Sequence, residues 1–292
     1  MGKRIFLFIV TNIAIVLTLS VVAAILGVGS GIGPEGLDIR GLAVFCLFWG
    51  MGGAFISLQM SRWIAKRATG VELVDGRTGN SQADWLYATV GRLTRQANLP
   101  MPEVGIYDSP EVNAFATGPS KSRSLVAVSS GLLRSMRQDE VEGVLAHEVA
   151  HIANGDMVTM TLLQGVMNAF VMFFARVIAY ALTRSSDSRS NNGGSYFLIV
   201  IVLQIVLGIL GSLVVNWFSR YREFRADHGG ATLAGRERMI AALRRLAANH
   251  ELVDTQQQAL ATMKINGARS WAALFSTHPP LADRIAALES YR

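Results

Sequence analysis

The chain has almost no cysteine, because Cys46 is the only one among its 292 residues. A single cysteine excludes an intramolecular disulfide, and its place inside a long apolar run keeps it away from the polar motifs. We interpret Cys46 as a small residue of a membrane segment. Charged residues are also scarce, at 16% of the chain against 51% hydrophobic residues. This balance excludes an ordinary soluble domain, in which about a quarter of the residues are charged.

The sequence also lacks the features of a nucleic-acid-binding protein. Its formal net charge is +6, but the basic residues cluster beside apolar runs and along the C-terminal part. No basic stretch is interleaved with aromatic residues to form a surface for bases and phosphates. We therefore expect the excess positive charge to lie against a membrane surface, and we expect no nucleic-acid partner.

Four apolar runs account for the hydrophobicity of the chain. The first, 5–28, would be roughly 36 Å long as a helix, enough to cross a bilayer core of about 30 Å. The second covers 41–61. The third and fourth, 157–183 and 195–219, contain polar residues, so they are either transmembrane helices or a buried amphipathic hairpin. We predict four transmembrane helices.

Basic residues beside these runs predict the orientation of the chain in the membrane. Lys3 and Arg4 precede the first run, and a basic cluster within 62–67 follows the second. The positive-inside rule places both groups in the cytoplasm and the short connection between the two runs outside. We therefore expect the polar parts and both termini to be cytoplasmic.

The runs divide the chain into four parts. We predict two N-terminal transmembrane helices, a cytoplasmic part with a small sheet and a motif helix, a transmembrane hairpin, and a helical cytoplasmic part. In the same order, these parts are 1–61, 62–156, 157–219 and 220–292.

The first cytoplasmic part combines short strands with a helix. Its β-branched and apolar segments predict a small antiparallel sheet, with strands at 103–107, 112–117 and 124–129. Apolar residues at helical spacing then predict a helix over 136–154, with Ser135 and Gln138 as a capping box. The expected fold class is α+β, mainly α, in a polytopic membrane protein.

The run His147-Glu148-Val149-Ala150-His151 carries most of the functional information. Residues four apart lie on one face of a helix, so His147 and His151 can bind the same metal ion. Glu148 lies on the adjacent edge, where it can hold the proton of a metal-bound water without binding the metal. The pattern therefore predicts a zinc hydrolase.

A catalytic zinc ion needs a third protein ligand. Glu223 directly follows the fourth apolar run and His151 precedes the third, so an antiparallel hairpin would bring the two together. Asp227 lies four residues after Glu223 and could bind the far nitrogen of a ligand histidine. His228 is the alternative third ligand, and Glu223 could instead pair with nearby arginines.

Four motifs follow one another along the chain. They are Asn113-Ala114-Phe115-Ala116-Thr117-Gly118, HEVAH with Asn154-Gly155-Asp156, Glu223-Phe224-Arg225-Ala226-Asp227, and His278-Pro279-Pro280-Leu281 with Arg284. In this order they resemble the HtpX membrane metalloproteases, which share a wider family with the CAAX prenyl proteases. The resemblance covers essentially the whole chain. It implies a gluzincin fold, one zinc ion per chain bound by His147, His151 and Glu223, and Glu148 as the catalytic carboxylate.

The resemblance also implies a biological role. We expect a zinc metalloendopeptidase of a bacterial-type inner membrane, which cleaves damaged or misfolded membrane proteins at the cytoplasmic face as part of quality control under stress. Its expected partners are such substrates, the lipid bilayer and other membrane quality-control proteases. The alternatives are a prenyl-protein endoprotease, which has more membrane spans, and a non-catalytic adaptor, against which the intact Glu148 argues.

Substrate-binding residues are expected in two of these motifs. Asn113, Ala114, Phe115 and Ala116 form the expected edge strand for an extended substrate, because HtpX-like proteins carry this motif beside the active-site helix. Asn113 either positions a substrate carbonyl or caps the preceding turn. His278 either donates to the oxyanion or begins a helix. The same motif supplies Arg284 as a further candidate.

Overall fold

The computed structural model describes residues 36–184, 192–258 and 278–290, preceded by the short stretches 17–19, 21–22, 25 and 32–33. The helices are α1 (Ile39–Thr69), α2 (Ser81–Gln96), α3 (Ser130–Ser135), α4 (Gln138–Asn154), α5 (Asp156–Arg184), α6 (Asn192–Ala234), α7 (Arg236–Gln258) and α8 (Leu281–Ser290). The strands are β1 (Ile32–Gly33), β2 (Gly36–Leu37), β3 (Glu72–Val74), β4 (Glu103–Tyr107), β5 (Ala114–Ser120) and β6 (Arg123–Ser129). The predicted α+β class with mainly helical content is confirmed.

The described residues group into two compact units. The first unit contains the residues up to Leu58 and those from Thr159 to Val215. The second contains the residues from Gln59 to Val158 and those from Asn216 onwards. Most of the apolar runs therefore belong to the first unit, and all the motifs of the zinc hydrolase belong to the second.

Three of the described helices are long and apolar enough to cross a membrane, namely Ile39–Thr69, Asp156–Thr183 and Gly194–Ala234. They contain the second, third and fourth apolar runs, whereas the first run lies mostly outside the described residues. Only 22% and 17% of the most apolar windows of the last two are buried. Such exposure is expected of lipid-facing helices and disfavours a hairpin buried in a soluble core.

Small residues bring α1 and α5 together within the first unit. A Cβ atom added to Gly50 would lie 2.6 Å from the amide nitrogen of Ala169 and 2.7 Å from the carbonyl oxygen of Gly165. No side chain therefore fits at Gly50 without a shift of the helices. Membrane helices commonly use small residues in this way to bring their backbones into contact.

The second unit contains a four-stranded sheet in the order β3-β4-β6-β5. The pairs β3–β4 and β5–β6 are antiparallel, but β4 and β6 are parallel. The prediction of a purely antiparallel sheet was therefore wrong. The β5–β6 hairpin folds back so that β6 lies between β4 and β5, and this insertion makes β6 parallel to β4. The second of the predicted strands, 112–117, extends further than predicted, because β5 runs to Ser120 and includes Gly118, which has a φ of +143° beside a register shift.

Helix α4 carries the HEVAH run and packs in the main core of this unit. The core joins α2, the sheet and α4 through buried aliphatic residues, among them Leu86, Val90, Val126, Val128, Leu145, Val149 and Ile152. The helix begins at Gln138, and Glu140 caps it by accepting a hydrogen bond from the amide of Arg137 at 2.8 Å. The predicted capping box of Ser135 and Gln138 was wrong, because Ser135 is the last residue of α3.

Candidate metal centre

Three side chains from two helices meet in the second unit. His147 and His151 lie one turn apart on α4, and Glu223 lies on α6. The Nε2 atoms of His147 and His151 are 3.0 Å apart. The two carboxylate oxygens of Glu223 lie 3.5 Å from Nε2 of His147 and 3.4 Å from Nε2 of His151. All three residues are buried. Among the described residues they form the group of side chains that can hold a metal ion.

The spacing of these atoms fits a zinc ion. Zinc bonds to nitrogen and oxygen are about 2.1 Å long, and a tetrahedron of such bonds has edges of about 3.4 Å. Two imidazoles and one carboxylate also leave one of the four coordination positions open. That donor set is typical of catalytic rather than structural zinc sites.

Each of the two histidines is held by a carboxylate at its other ring nitrogen. Nδ1 of His147 lies 2.9 Å from Asp227, and Nδ1 of His151 lies 2.7 Å from Asp156. When Nδ1 donates its proton to a carboxylate, Nε2 of a neutral ring carries a lone pair. The lone pairs of the two Nε2 atoms then face each other at 3.0 Å, and a cation bound between them would remove their mutual repulsion.

An arginine binds each of these two carboxylates, Asp227 and Asp156. Arg284 of α8 binds Asp227 through two N–H groups, at 2.7 and 2.6 Å, and is 6% exposed. Arg225 donates to Asp156. The sequence predicted the place of Asp227 but not the role of Asp156 and Arg225. Gly155, with a φ of +70°, ends α4 and turns the chain so that Asp156 reaches back to His151.

The surrounding carboxylates control the protonation of the two rings. Burial lowers the pKa of His151, but its hydrogen bonds with Asp156 and Glu223 outweigh burial and raise this pKa to about 9. The pKa of His147 is also raised, because Asp227 and Glu223 outweigh the effect of burial. Without a metal ion the His151 imidazole therefore favours the protonated form at neutral pH, and metal binding must displace its proton.

A cavity of about 150 Å³ opens in front of these residues. His147, Glu223 and the partly exposed Glu148 line it, together with Asn113 and Ala114 at the start of β5. Glu148 does not belong to the metal-binding group, and neither does His228, within the part of the chain that the structure covers. Glu148 thus faces the space in which a substrate carbonyl and a water molecule would meet.

Of the other residues predicted to bind substrate, two line the cavity and two do not. His278 is exposed and lines the cavity, with Nδ1 2.9 Å from Oε2 of Glu223. Arg284 also lines the cavity, although its guanidinium is bound to Asp227. Phe115 and Ala116 do not line it, and the ring of Phe115 packs 5.7 Å from that of Tyr107.

The sequence is similar to known proteases over nearly its full length. Residues 80–292 match peptidase family M48. Protease HtpX of Idiomarina loihiensis is 53% identical over 291 residues, which cover 99% of this chain and 100% of the relative. A protease HtpX homolog of Bacillus licheniformis is 54% identical over 298 residues, with 99% and 100% covered.

A solved structure resembles the fold. Ste24p of S. mikatae superposes with a TM-score of 0.61 at 18% sequence identity, over 99% of this chain. The matched part is 66% of the Ste24p chain, so this chain spans about two thirds of that protein. At this identity the likeness shows a shared fold.

Proposed function

Because the chain belongs to peptidase family M48, as one of its HtpX proteases, we propose that it is a zinc endopeptidase that cleaves damaged or unfolded membrane proteins. The family makes it a metalloprotease, and its long apolar helices make it a membrane protein. The observation that supports this proposal best is that two Nε2 atoms and the carboxylate of Glu223 meet beside Glu148, which lines the same cavity. We place this site at the cytoplasmic face of a bacterial inner membrane.

We assign one zinc ion to His147, His151 and Glu223. When bound, the ion would lower the pKa of a coordinated water towards about 7 and polarise the scissile carbonyl. Glu148 takes the proton of the attacking water and later delivers it to the leaving amine. The two ring orientations fixed by Asp156 and Asp227 keep the site preorganised during these steps.

We propose that an extended substrate adds to the edge of the sheet at β5. The carbonyl of Asn113 accepts a hydrogen bond from the amide of Ser129 at 2.9 Å, so the main chain of Asn113 faces β6. Since main-chain groups of a strand alternate in direction, those of Ala114 and Ala116 face away from β6. They can bind a substrate strand and hold its scissile bond over the motif helix.

The remaining candidates receive separate roles in this proposal. Asn113 is exposed at the mouth of the cavity, where its amide can bind a substrate carbonyl. His278 donates a ring N–H to the developing oxyanion. Arg284 positions Asp227 and through it His147, because its guanidinium is already engaged by that carboxylate.

We propose the following arrangement in the membrane. Two N-terminal spans in 1–61 and a hairpin in 157–219 anchor the protein, and 62–156 and 220–292 form the cytoplasmic protease. The basic residues that follow the second run and the fourth run support a shared cytoplasmic side.

A prenyl-protein endoprotease remains the second candidate, since Ste24p shares the fold. The HtpX relatives match this chain over their full length at more than 50% identity, whereas this chain covers 66% of Ste24p at 18% identity. These comparisons favour the quality-control protease.

The proposal can be tested with protein purified in detergent and an unfolded membrane protein as substrate. Removal of metal with a chelator should abolish fragmentation, and added zinc should restore it. Fragmentation that is unaffected by the chelator would contradict a zinc peptidase. Binding of the substrate without fragmentation in the zinc-loaded protein would point to an adaptor.

A further inference from the structure

The cavity in front of Glu148 extends into an apolar pocket that neither the metal nor its chemistry explains. The walls come from α3, α4 and α7, and the lining side chains are Leu132, Val144, Met239, Ala242, Leu243 and Leu246. We propose that this pocket binds an uncharged side chain of aliphatic or phenyl size, on a substrate residue next to the scissile bond. The inference rests on the proposed endopeptidase function and names its substrate preference.

The position of the pocket ties it to the reaction. Ala114, whose main chain faces away from the sheet, lines the same cavity as Glu148 and Glu223. A strand bound at Ala114 therefore passes between β5 and the motif helix with its scissile bond near Glu148. A substrate side chain next to the scissile bond therefore lies directly beside the apolar pocket.

The walls of the pocket select against charge. Leu132, Ala242 and Leu243 have no exposed surface, and Met239 is 1% exposed. The polar groups that line the cavity belong to the metal centre and the mouth, namely Asn113, His147, Glu148, Glu223, His278 and Arg284. A charged side chain in the pocket would lose its hydration without gaining an ion pair from these walls.

The volume of the pocket sets the upper size of the side chain. The whole cavity measures about 150 Å³, and an apolar cavity of about that volume holds a benzene-sized molecule. Because the pocket is only part of this cavity, aliphatic and phenyl side chains are the largest that we expect it to accept, and the indole of tryptophan is too large even for the whole cavity.

Helix α7 forms most of the wall and is held against α3 and α4. Arg238 binds Glu142 of α4 at 2.9 Å, and Arg245 donates to the carbonyl of Ser135 in α3 at 3.0 and 2.7 Å. The backbones of α4 and α7 are also close, because a Cβ atom at Gly143 would lie 2.5 Å from the carbonyl oxygen of Arg238. This wall of the pocket is therefore fixed in position.

Leu246 offers the best test, because it is half-buried and can be changed without replacing the centre of the core. Leu246→Ala should enlarge the pocket and Leu246→Phe should fill it. Leu233 is the matched control, since it is also a half-buried leucine packed on the same core cluster but does not line the cavity.

The measurement is the cleavage-site profile of zinc-loaded protein on a mixed peptide library, read by mass spectrometry together with zinc content. In the parent, one position beside the cut should be rich in leucine, isoleucine, methionine and phenylalanine and poor in charged residues. Leu246→Ala should increase cleavage next to tryptophan about 10-fold or more. Leu246→Phe should shift preference to alanine and serine by a similar factor, which is the usual effect of one or two methylenes in an apolar pocket. Leu233→Ala and Leu233→Phe should keep the parent profile.

The two proposals fail in different ways in this experiment. If the parent cleaves peptides but has no apolar preference beside the cut, or if both Leu246 variants keep the parent profile, the pocket does not bind substrate side chains. The same shift in the Leu233 variants would also overturn the inference, because it would show a general loosening of the core. If the zinc-loaded parent cleaves no peptide at all, the endopeptidase function itself is wrong.

Discussion

Each histidine of the HEVAH run is fixed by a carboxylate that is itself bound by an arginine, and all four partners lie outside the run. Asp227 binds His147 and is bound by Arg284, and both are far from His147 in the sequence. Asp156 binds His151 and is bound by Arg225, and of these two only Asp156 is close to His151 in the sequence. Such outer partners orient the ring and select the tautomer that binds metal.

Removal of the Asp156 carboxylate, whose role the sequence did not predict, should weaken the metal site without destroying it. For Asp156→Asn we expect zinc affinity to fall about 10- to 100-fold, because the His151 ring loses the acceptor that fixes its tautomer. Competition with a zinc-binding dye measures this loss. The control is Asp139→Asn on α4, the helix that carries His151, since Asp139 is partly exposed and its carboxylate pairs with Arg137. Unchanged affinity in Asp156→Asn would remove Asp156 from the metal centre.

Zinc affinity should depend on pH over an unusual range. The pKa of His151 is raised to about 9 and that of His147 is raised as well. A protonated imidazole cannot bind zinc, so each proton released on binding makes the affinity rise about tenfold per pH unit below the pKa. We therefore expect the affinity to increase steadily between pH 6 and 8. An affinity that levels off above about pH 6.5, the ordinary histidine pKa, would contradict the raised values.

At the level of helices and strands, the HEVAH helix was predictable, because the signals for the helix and for its end are both local in the sequence. Apolar spacing predicted the helix, and Asn154-Gly155 predicted its end, where Gly155 takes the left-handed conformation. The start of the helix was mispredicted, since Ser135 and Gln138 have the residue types of a capping box although Ser135 ends α3. The parallel pairing of β4 and β6 was not predictable, because no local pattern says that a hairpin returns to an inner position in the sheet.

The proximity of Glu223 to the histidines was an inference from a hairpin of two apolar runs, and the structure shows the three side chains together. The pairing of Arg284 with Asp227 was not predictable, because it depends on how α8 packs on α7. The apolar pocket was missed for the same reason, since its residues come from three separate helices.

The close packing of α4 on α7 gives a prediction at this scale. In Gly143→Ala the new methyl group meets the backbone of Arg238, so the helices must separate and the free energy of unfolding should fall by about 1–3 kcal/mol. Gly91→Ala on α2 is the control. Its Cβ would meet no atom closer than 3.5 Å, and alanine favours a helix over glycine by about 1 kcal/mol. Thermal unfolding in detergent compares the two, and equal stability of both variants would contradict the close packing.

At the scale of the whole molecule, the sequence predicted four membrane spans and the structure describes three suitable helices. The first run, 5–28, lies mostly outside the described residues and stays a prediction. Composition alone carried this prediction, because a long uncharged run needs no tertiary information. Orientation depends on charges beside the runs and is still a proposal.

A thiol placed between the third and fourth runs tests the orientation. In a Cys46→Ser background, we expect Ser188→Cys to react with a membrane-impermeant reagent added from outside the cell, as two full spans require. Labelling only after the membrane is opened, in a variant that keeps its activity, would reject two full spans. The metal site would be unaffected by that outcome, since a hairpin that dips into one leaflet also returns Glu223 to His151.

We propose that His147, His151 and Glu223 hold the zinc ion and that Glu148 transfers protons without binding it. Zinc content and proteolysis, measured together on Glu148→Gln and Glu223→Gln, separate these two roles. We predict that Glu148→Gln keeps one zinc ion per chain and cleaves no unfolded membrane protein, whereas Glu223→Gln loses both zinc and cleavage. Loss of zinc from Glu148→Gln, or cleavage retained by it, would contradict these roles.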